Sequence, residues 1–425
     1  MKKYVNDKFQ ETYFLETLDN GLKVIINYKP DFKSSSFVFA SKYGALDVKQ
    51  EVNGKIVENN AGIAHFLEHK MFEQKDGHDV MSEFSAMGCS VNAFTSYSET
   101  CYYFSTTMND VSKPLNLLLD FVQELNISEK SVEKEKGIII QELASYHQMP
   151  DSRILNETYK SLYHNIALKY DIGGDKDSVN ATSVEELREC YQRNYHPSNM
   201  LLVITTFIEP ELILSIVKEN QSLKVFDSKL EVKRLNLDEP FNVLRKSIKV
   251  KMDVSSNKVV LAFKFLDFKF SPLMRSNFEW ALRFILELHF TSMNEEYDLW
   301  LKEGKINEFF GFDVDIAEGH ANMLFYDDDI DSEIFVDFIK VQLEQIKNKQ
   351  FNPEDFKQLL SRYYGKSFGI FNSVEDMSIS FARQYFMGLS FYDMISALFE
   401  MDFEMLKESF DSLNFDHYSV IEIEK

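Results

Sequence analysis

Cysteine is scarce: three residues in 425, Cys89, Cys101 and Cys190, with no C-x-x-C pair. That argues against a disulfide framework and for free thiols in a reducing compartment. Basic residues are also in deficit. The 46 Lys and Arg stand against 68 Asp and Glu, for a formal charge of -22. Nucleic acid and anionic membranes both call for clustered cations, so neither is an expected partner. A cationic peptide remains compatible, and most of the negative charge reads as solvated surface. Gly and Pro, at 15 and 8, are too few for a disordered chain. No run approaches the roughly 20 apolar residues of a membrane span, and residues 1–8 contain no apolar signal core. A cytoplasmic protein is expected.

What is abundant is core material, 44% hydrophobic and 14% aromatic residues. The chain is too long for one ordinary core, so two large domains of about 210 residues or one duplicated architecture is expected. The order of elements favours duplication. Residues 1–27 read as extended, with Asp19-Asn20-Gly21 turning between two apolar strands, and a strand follows at 36–41. Helical spacing takes over at 60–72, then at 80–87 up to Gly88. "CSVNAFT" and "TCYYFSTT" alternate as two strands. Helices follow at 111–125 and 129–148, the second opened by a capping box at Ser128-Glu129-Lys130-Ser131. A helix at 183–194 and the strand "NMLLVITTF" close the first half.

Residues 221–242 have no sustained period and are read as the linker. Strands at 247–251 and 258–265, a helix at 273–290, alternation in "FFGFDVDIAEGHANMLFY", helices at 333–347 and 353–364, and a strand at 418–424 then repeat the order. The expected class is α+β, with homologous half-domains at 1–220 and 243–425, each a mostly antiparallel sheet with helices on one face.

His65-Phe66-Leu67-Glu68-His69 lies on the helix at 60–72. Residues four apart project from one helical face, so His65 and His69 can present two imidazoles about 3 Å apart to a zinc ion. Glu68 sits on the flank of that face, where it can take a proton from a metal-activated water without being a ligand. A catalytic zinc site wants one further protein ligand, commonly a carboxylate. The helix "VEKEKGIIIQEL" offers Glu135 and Glu142, two turns apart, with Ile138 and Ile139 toward the core. Glu142, set among apolar residues, would be an unpaired buried charge without a cation.

"AGIAHFLEHKMFE", "GCSVNAFTSYSETCYYF", "VEKEKGIIIQEL" and "YHPSNMLLVI" together resemble the inverzincin metallopeptidases of the pitrilysin and insulinase type, which include mitochondrial processing peptidase. The resemblance covers residues 1 to about 210 and implies the fold of mitochondrial processing peptidase and LuxS-like metallohydrolases. It implies His65, His69 and Glu142 as zinc ligands, Glu68 as general base, and Glu135 as a carboxylate orienting one of the histidines. It also implies that Asn92 and Ala93 lie beside the scissile bond of a peptide bound as an added strand; an ordinary core strand would read the same.

The second half departs from the pattern. Relatives place an Arg and, two turns on, a Tyr there to stabilise the tetrahedral intermediate. "NEEYDLWLKEGKINEFFGFD" has no Arg; Leu301 and Glu308 take the two places, with Tyr297 and Arg283 nearby at the wrong spacing. No second H-x-x-E-H occurs. Glu287 and His289 read as a surface carboxylate and a packed or exposed histidine, and His78, His147, His164 and His196 as structural. The pattern resembles the zinc-bearing subunit of bacterial heterodimeric processing peptidases, whose inactive homologous partner supplies Arg and Tyr and helps enclose a chamber. The implied activity is zinc-dependent endopeptidase cleavage of short or unfolded peptides, leader or precursor peptides among them. A self-sufficient homodimeric oligopeptidase and a non-catalytic structural homologue are the alternatives.

Overall fold

The computed structural model describes residues 1–75, 79–235, 237–266 and 268–425; His78 and one position of the expected linker lie outside them. Two compact units result, neither continuous in sequence: residues 1–143, 170–235 and 369–392 form one, and 144–169, 236–368 and 393–425 the other.

The first unit contains strands β1 (Lys2–Asn6), β2 (Glu11–Thr17), β3 (Lys23–Tyr28), β4 (Ser35–Ser41), β5 (Lys49–Val52), β6 (Lys55–Glu58), β7 (Ser90–Thr95), β8 (Thr100–Thr106), β9 (Met200–Thr206) and β10 (Val232–Arg234). The second contains β11 (Ser247–Lys251), β12 (Lys258–Phe265), β13 (Gly311–Ala317), β14 (His320–Asp328) and β15 (Tyr418–Glu424). The large sheet of the first unit runs β1-β2-β3-β9-β4-β8-β7, and the sheet of the second runs β11-β15-β12-β14-β13. In the first only β3 and β9 are parallel, and in the second only β11 and β15. Without β1 and β2 the two sheets have the same five-strand plan, one parallel pair followed by antiparallel neighbours. The class is α+β, built by duplication.

Burial explains the composition of the central strands. β4 and β9 are buried along their whole length and read as unbroken runs, because helices cover both faces of the sheet. On one face Phe37, Phe39, Leu202 and Ile204 pack with Leu67, Phe84 and Leu118. On the other lies the helix Val374–Met387, where Ser378 Oγ donates to Thr205 Oγ1 at 2.8 Å. The second unit likewise packs the helix Pro150–Leu162 on β12 and β15. Helices therefore cover two faces rather than the one expected. Each unit takes one covering helix from the other half of the sequence, which is why the units cross the boundaries 1–220 and 243–425.

The segment 221–242 is also less plain than its composition. β10 pairs antiparallel with β5, opposite Gln50, Glu51 and Val52. Three residues, Val232, Lys233 and Arg234, are too few to carry a readable period.

Candidate metal centre

The motif helix runs Ile63–Met71, three residues later than spacing alone places it. Gly62 delays it: at the N-cap its φ is 86°, a left-handed backbone that side chains disfavour. Ile63, Phe66, Leu67 and Met71 are buried in the core of the first unit, which fixes the rotation of the helix and turns the histidines outward from that core. The facing helix, Glu129–His147, begins with the reciprocal box expected: Ser131 N donates to Ser128 Oγ at 3.2 Å and Ser128 N to Ser131 Oγ at 3.1 Å. Of its consecutive isoleucines, Ile139 is fully buried while Ile138 is 44% exposed, so only one of the two faces the core. A 3.6-residue turn cannot point both the same way.

Between these helices His65, His69 and Glu142 converge. Their nearest ligand atoms all lie within 4.8 Å of one another. Glu142 Oε2 is 3.3 Å from His69 Nε2 and 3.9 Å from His65 Nε2. The edge of a tetrahedron around zinc with ligand bonds near 2.0 Å is roughly 3.3 Å. Two imidazole nitrogens and one carboxylate oxygen form the donor set of a catalytic zinc site with one position left for water. The residues present fit that ion.

Neighbours tune each group. His69 Nδ1 lies 3.1 Å from Glu135 Oε1, and Glu135 Oε2 is 3.4 Å from the ammonium of Lys70. Burial pushes the Glu135 carboxyl up, but the bond from His69 and the charge of Lys70 together carry it below the ordinary value. Burial pulls His69 down, and the surrounding carboxylates, Glu135 first, more than restore it. No carboxylate comes within hydrogen-bond distance of His65, the nearest being Glu142 at 3.9 Å; burial, then repulsion from His69, lowers it to about 3, so its imidazole is neutral. Glu68 is raised by burial, against a hydrogen bond of 2.7 Å donated by Thr95 Oγ1 to its Oε2.

Several of these supports are invisible to motif reading. Lys70, fully buried beside Glu135 and Glu73, and Thr95, on β7, are two. The loop carrying Gly173 and Gly174 is the third. A Cβ on Gly62 would stand 2.2 Å from the carbonyl oxygen of Gly173, and a Cβ on Gly173 would stand 3.3 Å from His65 Nδ1. The backbone thus closes on the start of the motif helix at a distance only glycine at 62 permits, and leaves little spare room beside His65. A G-G dipeptide in the sequence was the available signal.

Asn92 and Ala93 lie on β7, the last strand of its sheet, paired with Tyr103 and Tyr102 of β8 and with nothing on the outer side among the described residues. Ala93 packs toward the helical core, on the same side as Thr95. Asn92 faces the other way and is exposed. A groove lined by Glu68, Phe72, Met81, Ser131 and Glu135 runs beside His69.

The second unit contributes no metal donors of this kind among the described residues. Leu301 and Tyr297 pack against its own core and Glu308 is exposed. Arg283 is held at home by Asp313 Oδ1 at 2.7 Å and Glu279 Oε1 at 3.0 Å. Glu287 is not the free surface carboxylate expected: it pairs with Arg362 and accepts from the Tyr363 hydroxyl at 2.7 Å. His289 is buried, its Nε2 2.8 Å from Gln342 Oε1.

The chain matches two family models, Insulinase (Peptidase family M16) over residues 54–176 and the Peptidase M16 inactive domain over 181–363. It is 35% identical over 401 residues to YmfH of Bacillus subtilis, described as an uncharacterized zinc protease, covering 94% of this chain and 93% of that one. An M16-like peptidase from Alicyclobacillus acidocaldarius superposes with a TM-score of 0.90 at 29% identity, over 97% of this chain and 98% of the other. Pitrilysin shares the fold, with a TM-score of 0.77 at 17% identity; the match spans 99% of this chain but 45% of pitrilysin. The family models fall on the two duplicated halves in order, and the first contains the His65–His69 motif and Glu142. With a relative this similar along nearly its full length, the chain belongs to the insulinase family of peptidases, M16.

Proposed function

We propose that this protein is a zinc metalloendopeptidase that cleaves short or unfolded peptides, acting as the metal-bearing subunit beside a homologous partner. The observation that carries the reading is the convergence of His65, His69 and Glu142 next to a half-buried Glu68 that is bonded to Thr95 of the edge strand β7. Zinc held by the three ligands would polarise a peptide carbonyl and acidify a water. Glu68 takes the proton and returns it to the leaving nitrogen; burial raises its carboxyl toward the range in which both transfers are facile. Glu135 fixes the His69 ring through Nδ1 and leaves Nε2 for the ion. β7 offers its backbone, beside Asn92 and Ala93, to a peptide added as a strand.

The partner is proposed from what the second unit lacks. Arg283, the one arginine near the expected place, is bound within its own unit, and Leu301 and Glu308 cannot stabilise an oxyanion. Pitrilysin, of which this chain spans less than half, has the length to carry two such modules in one chain. Processing of leader or precursor peptides in the cytoplasm is the biological role we favour, and the three free buried cysteines suit that compartment.

The test is metal analysis joined to cleavage. One zinc per chain is expected in the wild type, none in Glu142→Gln, and one zinc without cleavage in Glu68→Gln. Cleavage of a mixed peptide library should rise when the homologue that co-purifies is present. A wild-type chain without zinc, or a Glu68→Gln variant as active as wild type, refutes the reading. Full activity of the chain alone refutes the partner.

A further inference from the structure

β7 separates two environments. Val91, Ala93 and Thr95 face the motif helix, where Thr95 meets Glu68. Asn92 and Phe94 face the opposite side, toward the helix Val374–Met387. There the guanidinium of Arg383 lies over the Phe94 ring, 5.1 Å from its centroid, and its Nε donates to Glu99 Oε1 at 3.0 Å. Glu99 is buried at 4% exposure, whereas Arg383 is 49% exposed. Nη1 and Nη2 of Arg383 have no hydrogen-bond partner among the described residues. Eight residues earlier on the same helix, Glu375 lies near the hydroxyl of Tyr103, the cross-strand neighbour of Asn92, and burial, then the negative charge of Glu375, raises that phenol.

We propose that Arg383 is a specificity-determining residue that receives an acidic side chain of the substrate, on the face of the sheet opposite the metal. The inference rests on the peptidase reading above, in which the peptide lies along β7. An added strand would sit about 4.8 Å from β7, with alternate side chains on the far face and their Cβ atoms about 5 Å from those of Phe94 or Asn92. A glutamate at the level of Phe94 reaches the exposed fork of Arg383, which offers paired N–H donors suited to a carboxylate. Glu99 engages Nε and so holds the side chain in place while leaving the fork outward. Two residues along, at the level of Asn92, the same glutamate meets the carboxylate of Glu375 and is disfavoured. Recognition thus depends on register: acid at one position, not at the next one on that face.

The experiment uses the zinc-loaded chain together with its co-purifying homologue and a set of quenched-fluorescent peptides with one scissile bond. Each flanking position is occupied in turn by Glu, Gln or Lys. One position should prefer Glu over Lys by on the order of tenfold in kcat/KM, the worth of one charge-assisted hydrogen bond, chiefly through KM. Shifting the Glu by two residues toward the Asn92 level should reverse the preference. Because Arg383→Gln alone would strand the buried Glu99, the test variant is Glu99→Gln/Arg383→Gln, which should bring the ratio near one with zinc content unchanged; Arg383→Lys should keep the preference, and Glu99→Gln/Arg383→Glu should invert it. A ratio in the double glutamine variant within twofold of wild type overturns the proposal, and so does loss of zinc in that variant, which would assign the pair to holding up the sheet. Zinc-loaded wild type that cleaves none of the peptides refutes the peptidase reading itself, a result distinct from cleavage with an unmoved ratio.

Discussion

Replacing Glu135 with Gln isolates one support of the metal centre without touching a proposed ligand. Oε1 of Glu135 accepts from His69 Nδ1 at 3.1 Å, and Oε2 lies 3.4 Å from Lys70 Nζ. The amide keeps the shape and one acceptor but loses the charge. Two costs follow. His69 stays oriented but becomes a poorer donor, and loss of such an outer partner weakens metal binding by about 10- to 100-fold, or roughly 1.4 to 2.7 kcal/mol. Lys70, 1% exposed, keeps Glu73 but faces an amide in place of its other anion. An under-satisfied buried polar group of this kind costs about 1 to 3 kcal/mol of stability. Competition for zinc against a chromophoric chelator at fixed pH measures the first, and chemical denaturation of the metal-free chain measures the second. A zinc dissociation constant within twofold of wild type would refute the reasoning, since Glu135 would then be an ornament of the helix rather than a support of His69.

Two glycine substitutions should separate fold from site. Gly62→Ala puts a side chain at φ 86° and its Cβ 2.2 Å from a backbone oxygen that cannot move away, so a loss of about 3 kcal/mol or more is expected in denaturation. Gly173→Ala meets a movable leucine terminus at 2.8 Å and the His65 ring at 3.3 Å. It should cost little stability yet weaken zinc binding, and the opposite ranking would overturn the account of this loop. In the second unit burial, then the charge of Lys349, lowers His289 to about 4, while the unfolded histidine titrates near 6.5. Between those values the unfolded chain takes up a proton that the native one refuses. Stability should therefore fall as pH drops through that window, by up to about 3 kcal/mol. His289→Gln should flatten the dependence of the melting temperature on pH from 6.5 to 4; parallel curves for variant and wild type would refute the assignment.

The convergence of the two histidines was legible because its rule is local. His65 and His69 sit one helical turn apart, and no tertiary information is needed to place both on one face. Glu142 required one more step, a second helix with a carboxylate among apolar neighbours. The strands β7 and β8 announced themselves by alternation. What sequence could not supply were pairings between distant segments. Gly62 and Gly173 are 111 positions apart, and nothing in either neighbourhood says they touch. The helix Val374–Met387 has readable ends, since Ser373 caps Asp376 N and Gly388 turns left-handed at φ 82°. Its destination was not readable, because periodicity shows which face of a helix is apolar and not which sheet will cover it. Arg383 and Glu375 stayed hidden for that reason.

The duplication sharpens the point, because the two halves answer one geometric problem with different chemistry. In the first unit the helix that follows β4, β5 and β6 packs beside β7 and presents His65 and His69, four residues apart. In the second unit the helix Pro272–Phe290, which follows β12, packs beside β13 and presents Glu279 and Arg283, also four apart. There Arg283 joins Glu279 on its own helix to Asp313 of β13. A guanidinium fixed between two carboxylates is a resident cation, and it satisfies in the second unit the negative groups that would otherwise repel one another across the helix and strand. In the first unit two imidazoles and a carboxylate converge, a donor set suited to an external cation. The two units share a backbone plan, and in the second the positive charge between helix and strand comes from a side chain. The metal-type donor set lies in the first unit, whereas Arg283 of the second is committed to its own carboxylates.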